Sequence, residues 1–162
     1  MADVFNIDET FEIAEQIERN GARFYRKAAG IFEASRAKSL LMDLASMEDR
    51  HEKLFKEMRQ ELKKKSGTQE GSIDEEPARY LQAVAGGYVF PISADPSDKL
   101  KGKESLSEVI NFAIEIEKDS IVFYLGIREA MPEELGKFDI YKIIKEELRH
   151  ITVLTDLLHK TK

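Results

Sequence analysis

A shift of 99 residues lays this chain on itself without a gap. Glu48, Arg50 and His51 fall on Glu147, Arg149 and His150, and Glu18 falls on Glu117 (117 − 18 = 99). Ala14 meets Ala113, and Phe24-Tyr25 meet Phe123-Tyr124. Two candidate helix starts, Asn6 followed by Glu9 and Ser105 followed by Glu108, keep the same register, and the second reads as a capping box. Such self-similarity means two copies of one structural unit. Two of the three histidines lie in the repeated Glu-x-x-His.

The unit is a pair of helices. Apolar residues recur at helical spacing over about 7–32 (Ile7, Phe11, Ala14, Ile17, Phe24, Tyr25) and about 34–64 (Leu41, Leu44, Met47, Phe55, Met58). The second copy gives about 106–130 (Val109, Ala113, Ile116, Phe123, Ile127) and about 132–159 (Ile140, Ile143, Ile144, Leu148, Ile151, Leu154, Leu158). Pro132 suits the first turn of the last helix, where its missing N–H costs nothing. Residues 65–104 hold three of the four prolines and read as loop, with a short helix near 75–85. A connection of that length calls for a reason. A crossover running the length of a bundle is one, and it sets the second and third long helices parallel. The expected fold is all-α: one four-helix bundle, residues 1–162, built from hairpin 7–64, crossover 65–104 and hairpin 106–159.

Composition narrows the function. With 25 basic and 31 acidic side chains the net charge is −6, which argues against nucleic acid as a partner. Lys63-Lys64-Lys65 is the one basic cluster, and it suits a helix C-terminus. With no cysteine, disulfides, thiolate zinc and iron–sulfur clusters are excluded within these residues. No apolar run approaches the ~20 residues of a membrane span. The N-terminus has no signal-peptide pattern, so a cytoplasmic location is expected.

Glu48 and His51 are i and i+3, so they share a helix face, and Glu147 and His150 do likewise. Glu18 and Glu117 lie on the apolar stripes of the first and third helices. Four carboxylates and two imidazoles would face one interior. Buried carboxylates are costly unless paired or metal-bound. Two divalent cations would cancel four negative charges, and a carboxylate-rich set with one imidazole per metal suits iron or manganese. One Glu-x-x-His in a charged helix is ordinarily a solvated pair. Two copies, each with a glutamate 30 residues upstream (48 − 18 and 147 − 117), read as a dinuclear metal site. His159 follows Asp156 at three residues and reads as a surface side chain.

These residues resemble a family. EQIERNGARFYRKAA and IEIEKDSIVFY are similar to the first and third helices of rubrerythrin-like proteins, and MEDRHEKLF and KEELRHITVL to their Glu-x-x-His helices. The ferritin-like superfamily places one Glu from each of two helices beside a Glu-x-x-His from each of the others. The resemblance implies that Glu48 and Glu147 are shared by two iron ions, with manganese or a mixed pair as alternatives. Glu18 and His51 would complete one metal, and Glu117 and His150 the other. It implies that Tyr25 and Tyr124 hydrogen-bond the ligand carboxylates. It implies reduction of hydrogen peroxide or dioxygen with electrons from an external donor protein, since no rubredoxin-type cysteines are present. It implies a homodimer, which the long crossover would allow to be domain-swapped. The alternatives are a ferroxidase or iron-handling protein, and a redox-silent bundle stabilised by metal. The pattern departs at Ser120, where rubrerythrin carries a further glutamate that takes up an iron on oxidation. That departure implies slower peroxide reduction and two histidines that stay bound.

Overall fold

The computed structural model describes residues 6–65, 75–131 and 136–160. The described residues form α1 (Ile7–Ala29), α2 (Arg36–Lys65), the short α3 (Glu75–Ala85), α4 (Leu106–Ala130) and α5 (Lys137–Lys160), with a 3-10 turn at Pro96–Lys99 and no strand. The four expected long helices are α1, α2, α4 and α5, and the short helix expected near 75–85 is α3; residues 66–74 of the expected crossover lie outside the described residues.

The helix ends follow their capping groups. Asn6 accepts a hydrogen bond from the Glu9 N–H at 2.8 Å. Ser105 and Glu108 form the reciprocal capping box, at 3.2 and 2.7 Å. α1 stops three residues short of the expected Phe32, because the N–H groups of Ile31 and Phe32 turn to the i−3 carbonyls of Ala28 and Ala29. α2 starts at Arg36, two residues later than expected. Ser35 caps it by accepting from the Lys38 N–H at 3.2 Å. Its last turn carries Lys63, Lys64 and Lys65. The expected helix start at Pro132 lies outside the described residues.

Cross-helix contacts fix the directions. Arg59 meets Asp8 at 2.6 Å and Arg19 meets Glu52 at 2.7 Å, while Arg26 pairs with Asp49, so α1 and α2 are antiparallel. Tyr25 reaches Glu117 and Tyr124 reaches Glu18, so α1 and α4 are antiparallel as well. α2 and α4 therefore run the same way, as a crossover along the bundle requires. In the crossover, α3 lies across α4, where the Tyr80 hydroxyl donates to the Val122 carbonyl at 2.7 Å.

The core is two apolar layers. One gathers Phe11, Phe55, Tyr124, Ile127, Ile140 and Ile143. The other gathers Phe24, Tyr25, Leu41, Leu44, Ile110 and Leu154. The repeated glutamates and histidines lie between them along each helix. One expected core residue is misplaced. Leu148 is 51% exposed, because it follows buried Glu147 by 100° around α5, and Leu157 takes a core position instead.

Candidate metal centre

All six residues singled out by the repeat come together in the bundle interior. Glu18, Glu48, His51, Glu117, Glu147 and His150 are each at most 3% exposed. They form two overlapping groups. Glu18 and His51 join Glu48 and Glu147 in one, and Glu117 and His150 join the same pair in the other. Within each group the candidate ligand atoms lie within 4.8 Å of one another. Glu48 and Glu147 are therefore common to both halves.

Glu147 stands between the two imidazoles. Its Oε1 is 2.8 Å from His51 Nδ1, and its Oε2 is 2.9 Å from His150 Nδ1. Glu18 is 3.4 Å from His51 Nδ1; Glu48 and Glu117 are 3.2 and 3.4 Å from His150 Nδ1. Both histidines thus aim Nδ1 inward. The rings stack with centroids 5.8 Å apart. On its outer edge, His51 Nε2 lies 2.7 Å from Glu146, whereas the buried Nε2 of His150 has no partner. The repeat explains this asymmetry, because the position equivalent to Glu146 is Met47 (146 − 99).

The tyrosines cross between hairpins. Tyr25 donates its hydroxyl proton to Glu117, and Tyr124 donates to Glu18. Each tyrosine fixes the glutamate of the other copy, and burial together with the facing carboxylates holds both phenols well above their usual pKa. They remain neutral donors.

The electrostatics show what such a cluster costs without a cation. Burial and the Glu147 charge raise Glu117 to about 8, and burial with three neighbouring carboxylates raises Glu48 well above the usual carboxylate range. Burial and Glu147 raise Glu18 too. Burial opposes a charge on His51, but Glu147 and Glu18 outweigh it and hold its pKa up to about 12. His150 is raised in the same way by Glu117, Glu147 and Glu48. Burial works against charge on Glu147 also, but the two imidazolium groups overcome it and keep this carboxylate ionised. The metal-free cluster neutralises itself with protons. Even so, eight buried side-chain atoms there make no hydrogen bond, among them both Glu147 oxygens and Nδ1 of each histidine, which approach one another within 2.9 Å as ion pairs without hydrogen-bond alignment. Buried polar atoms are rarely left so.

One neighbour of the site, Gly21, was not legible in the repeat's chemistry. Gly21 lies against Glu48, and a Cβ there would stand 2.7 Å from Glu48 Oε2. The repeat places Gly21 on Ser120 (120 − 21 = 99). Ser120 is buried, and its hydroxyl donates to the Ile116 carbonyl at 3.0 Å, so neither position offers a carboxylate. Beside it, a cavity of about 340 Å³ opens under the crossover, lined by Ile17, Asn20, Phe90, Ile116, Asp119 and Ser120. His159 is exposed in the last turn of α5, as expected.

No protein-family model and no curated protein matches the sequence. Among solved structures, the chain is similar over 100% of both lengths, with a TM-score of 0.76 and 23% identity, to a crystal structure from Thermotoga maritima described as a candidate ferritin-like diiron-carboxylate protein. With the whole of both chains superposed at that score, this chain has the ferritin-like helical-bundle fold.

Proposed function

We propose that the chain is a dinuclear metal redox protein of rubrerythrin type, holding two iron ions and reducing hydrogen peroxide or dioxygen with electrons from another protein. The observation that carries this reading is the set of eight orphaned polar atoms, all on the six clustered residues. The donor set fits the group. Four carboxylates and two inward Nδ1 atoms divide into one imidazole per metal, with Glu48 and Glu147 available to both. Such a metal pair, when bound, supplies two electrons that convert peroxide and two protons to two waters.

The chain's own residues do the rest. Glu18, Glu48, His51, Glu117, Glu147 and His150 would hold the metals. Tyr25 and Tyr124 orient Glu117 and Glu18 through their hydroxyl hydrogen bonds, which fixes the carboxylates before metal arrives. The apolar layers on either side exclude bulk water. The cavity beside Ile17, Ile116 and Ser120 offers a small oxidant a place one residue from Glu18 and Glu117.

The test is turnover. Protein reconstituted with ferrous iron without oxygen should consume hydrogen peroxide in the presence of a reductant, and should stop when Glu147→Ala removes the shared ligand. Accumulation of ferric iron beyond two per chain would assign iron handling instead. A metal-loaded protein inert to both oxidants would leave a metal-stabilised bundle.

A further inference from the structure

The two hairpins share one design, so a difference between them at equivalent positions marks a demand peculiar to one. Inside the bundle the six clustered carboxylates and imidazoles and the two tyrosines agree. Outside, the copies differ. In the first hairpin Arg26 and Asp49 form an ion pair across α1 and α2. Their equivalents on α4 and α5 are Leu125 and Leu148, both exposed. Along α5 the outermost line is Phe138, Tyr141, Lys142, Lys145, Leu148 and Arg149, and Phe138 is 66% exposed. The corresponding line on α2 is Ser39, Met42, Asp43, Ser46, Asp49 and Arg50. One face is polar with two acids. The other is apolar and aromatic with three cations, and its acids stand beside the line: Asp139, paired with Lys142 at 3.2 Å, and Glu146. Arg128 and Lys145 lie over the Tyr141 ring, at 5.1 and 5.2 Å from its centroid, and widen the basic rim. A ring of charge around exposed apolar anchors has the anatomy of a transient docking face.

This face also adjoins the candidate centre. Glu146, 46% exposed on its side chain, hydrogen-bonds His51 Nε2 at 2.7 Å. Glu147 and His150 bracket the exposed Leu148 and Arg149. One hydrogen bond therefore separates a candidate metal ligand from solvent at the edge of α5. The 162 residues hold no cysteine, hence no thiolate-bound redox group of their own.

We propose that the outer face of α5, centred on Tyr141, Lys145 and Leu148, docks a small acidic electron-carrier protein that reduces the metal pair. The proposal rests on the redox reading above. Each encounter passes one electron: the carrier is oxidised by one electron and one metal is reduced, so two encounters restore a centre that has given up two. The partner is acidic because the rim is cationic. A second copy of the chain packed on this face would bring a rim of the same sign against Lys145 and Arg149, an unfavourable juxtaposition.

The probe is a plant-type [2Fe–2S] ferredoxin, an acidic one-electron carrier. Lys145→Glu with Arg149→Glu reverses the α5 face, and Lys53→Glu with Lys56→Glu makes the same change of charge on α2. Calorimetry at low ionic strength follows oxidised ferredoxin binding to the metal-free protein. Stopped flow follows reduction of the metal-loaded protein by reduced ferredoxin and by a neutral hydroquinone. The α5 variant should lose about tenfold or more in ferredoxin affinity and second-order rate, as loss of electrostatic steering requires. It should keep its hydroquinone rate, and the α2 variant should change neither by more than about twofold. Equal losses in the two variants, or no ferredoxin binding to the unmodified protein, would overturn the proposal. So would dissociation of a dimer by the α5 variant alone, or capture of this face by phosphatidylglycerol vesicles. A protein that binds ferredoxin through α5 but is reduced by neither donor would overturn the redox reading, and with it the electron delivery proposed here.

Discussion

Gly21 decides how closely α1 approaches the carboxylate of Glu48. Only a hydrogen fits, since a Cβ would stand 2.7 Å from Oε2. Alanine is the better helix former by about 1 kcal/mol, so Gly21→Ala should leave the metal-free protein at least as helical. It should nonetheless displace Glu48 and weaken metal binding about tenfold, or ~1.4 kcal/mol. Competitive titration with manganous ion checks this, and unchanged affinity would refute it. Protonation gives a second expectation at this scale. Glu117 is raised to about 8 and His51 to about 12, so both carry protons at neutral pH before metal binds, and Glu48 and His150 are raised in the same direction. Metal must displace such protons, so affinity should rise with pH from 6 to 8, with protons released on binding at pH 7. Calorimetry in buffers of different ionisation enthalpy measures the release; pH-independent binding would contradict it. The six clustered residues were legible because the repeat put equal chemistry at equal spacing. Gly21 was not, because a glycine on an apolar stripe reads as a small core residue. Glu146 was not, because its contact with His51 joins residues 95 apart in sequence.

The helices were legible from period and caps, and their ends shifted where local turns competed. α1 yields to i−3 bonding after Gly30, and α2 waits for Ser35. Leu148 misled because a helix needs fewer apolar residues inside than its sequence supplies. What the sequence did not carry is how the crossover packs. α3 rests on α4 at Gly126, where a Cβ would meet the Tyr80 ring at 2.3 Å and Leu81 at 3.0 Å. Gly126→Val should lift α3 from the bundle at a cost of about 1–3 kcal/mol, as overpacking does. Hydrogen exchange should then show lost protection over 75–85 while α1 and α2 keep theirs. Undiminished protection in α3 would mean the contact is not what holds it.

The whole bundle sets a polar cluster between two apolar layers, and the layers bind the helices whether or not metal is present. Metal-free protein should therefore keep its helical circular dichroism. Added ferrous or manganous ion should raise the melting temperature by mass action, worth about 2.7 kcal/mol at a hundredfold excess over Kd. A metal-free chain without helical signal would show that the layers do not suffice. The repeat made this architecture readable: two like hairpins joined by a long crossover leave α2 and α4 parallel and bring both Glu-x-x-His helices to one interior. Among the described residues no helix is long and apolar enough to cross a membrane.

The central claim is that six buried ligands hold two metals. Elemental analysis of protein reconstituted with ferrous iron under anaerobic conditions tests it most directly. Two irons per chain are expected in the unmodified protein, with loss of both in Glu147→Ala and of mainly one in Glu117→Ala. One iron or none in the unmodified protein would contradict it, and equal loss from both variants would remove the shared role assigned to Glu147.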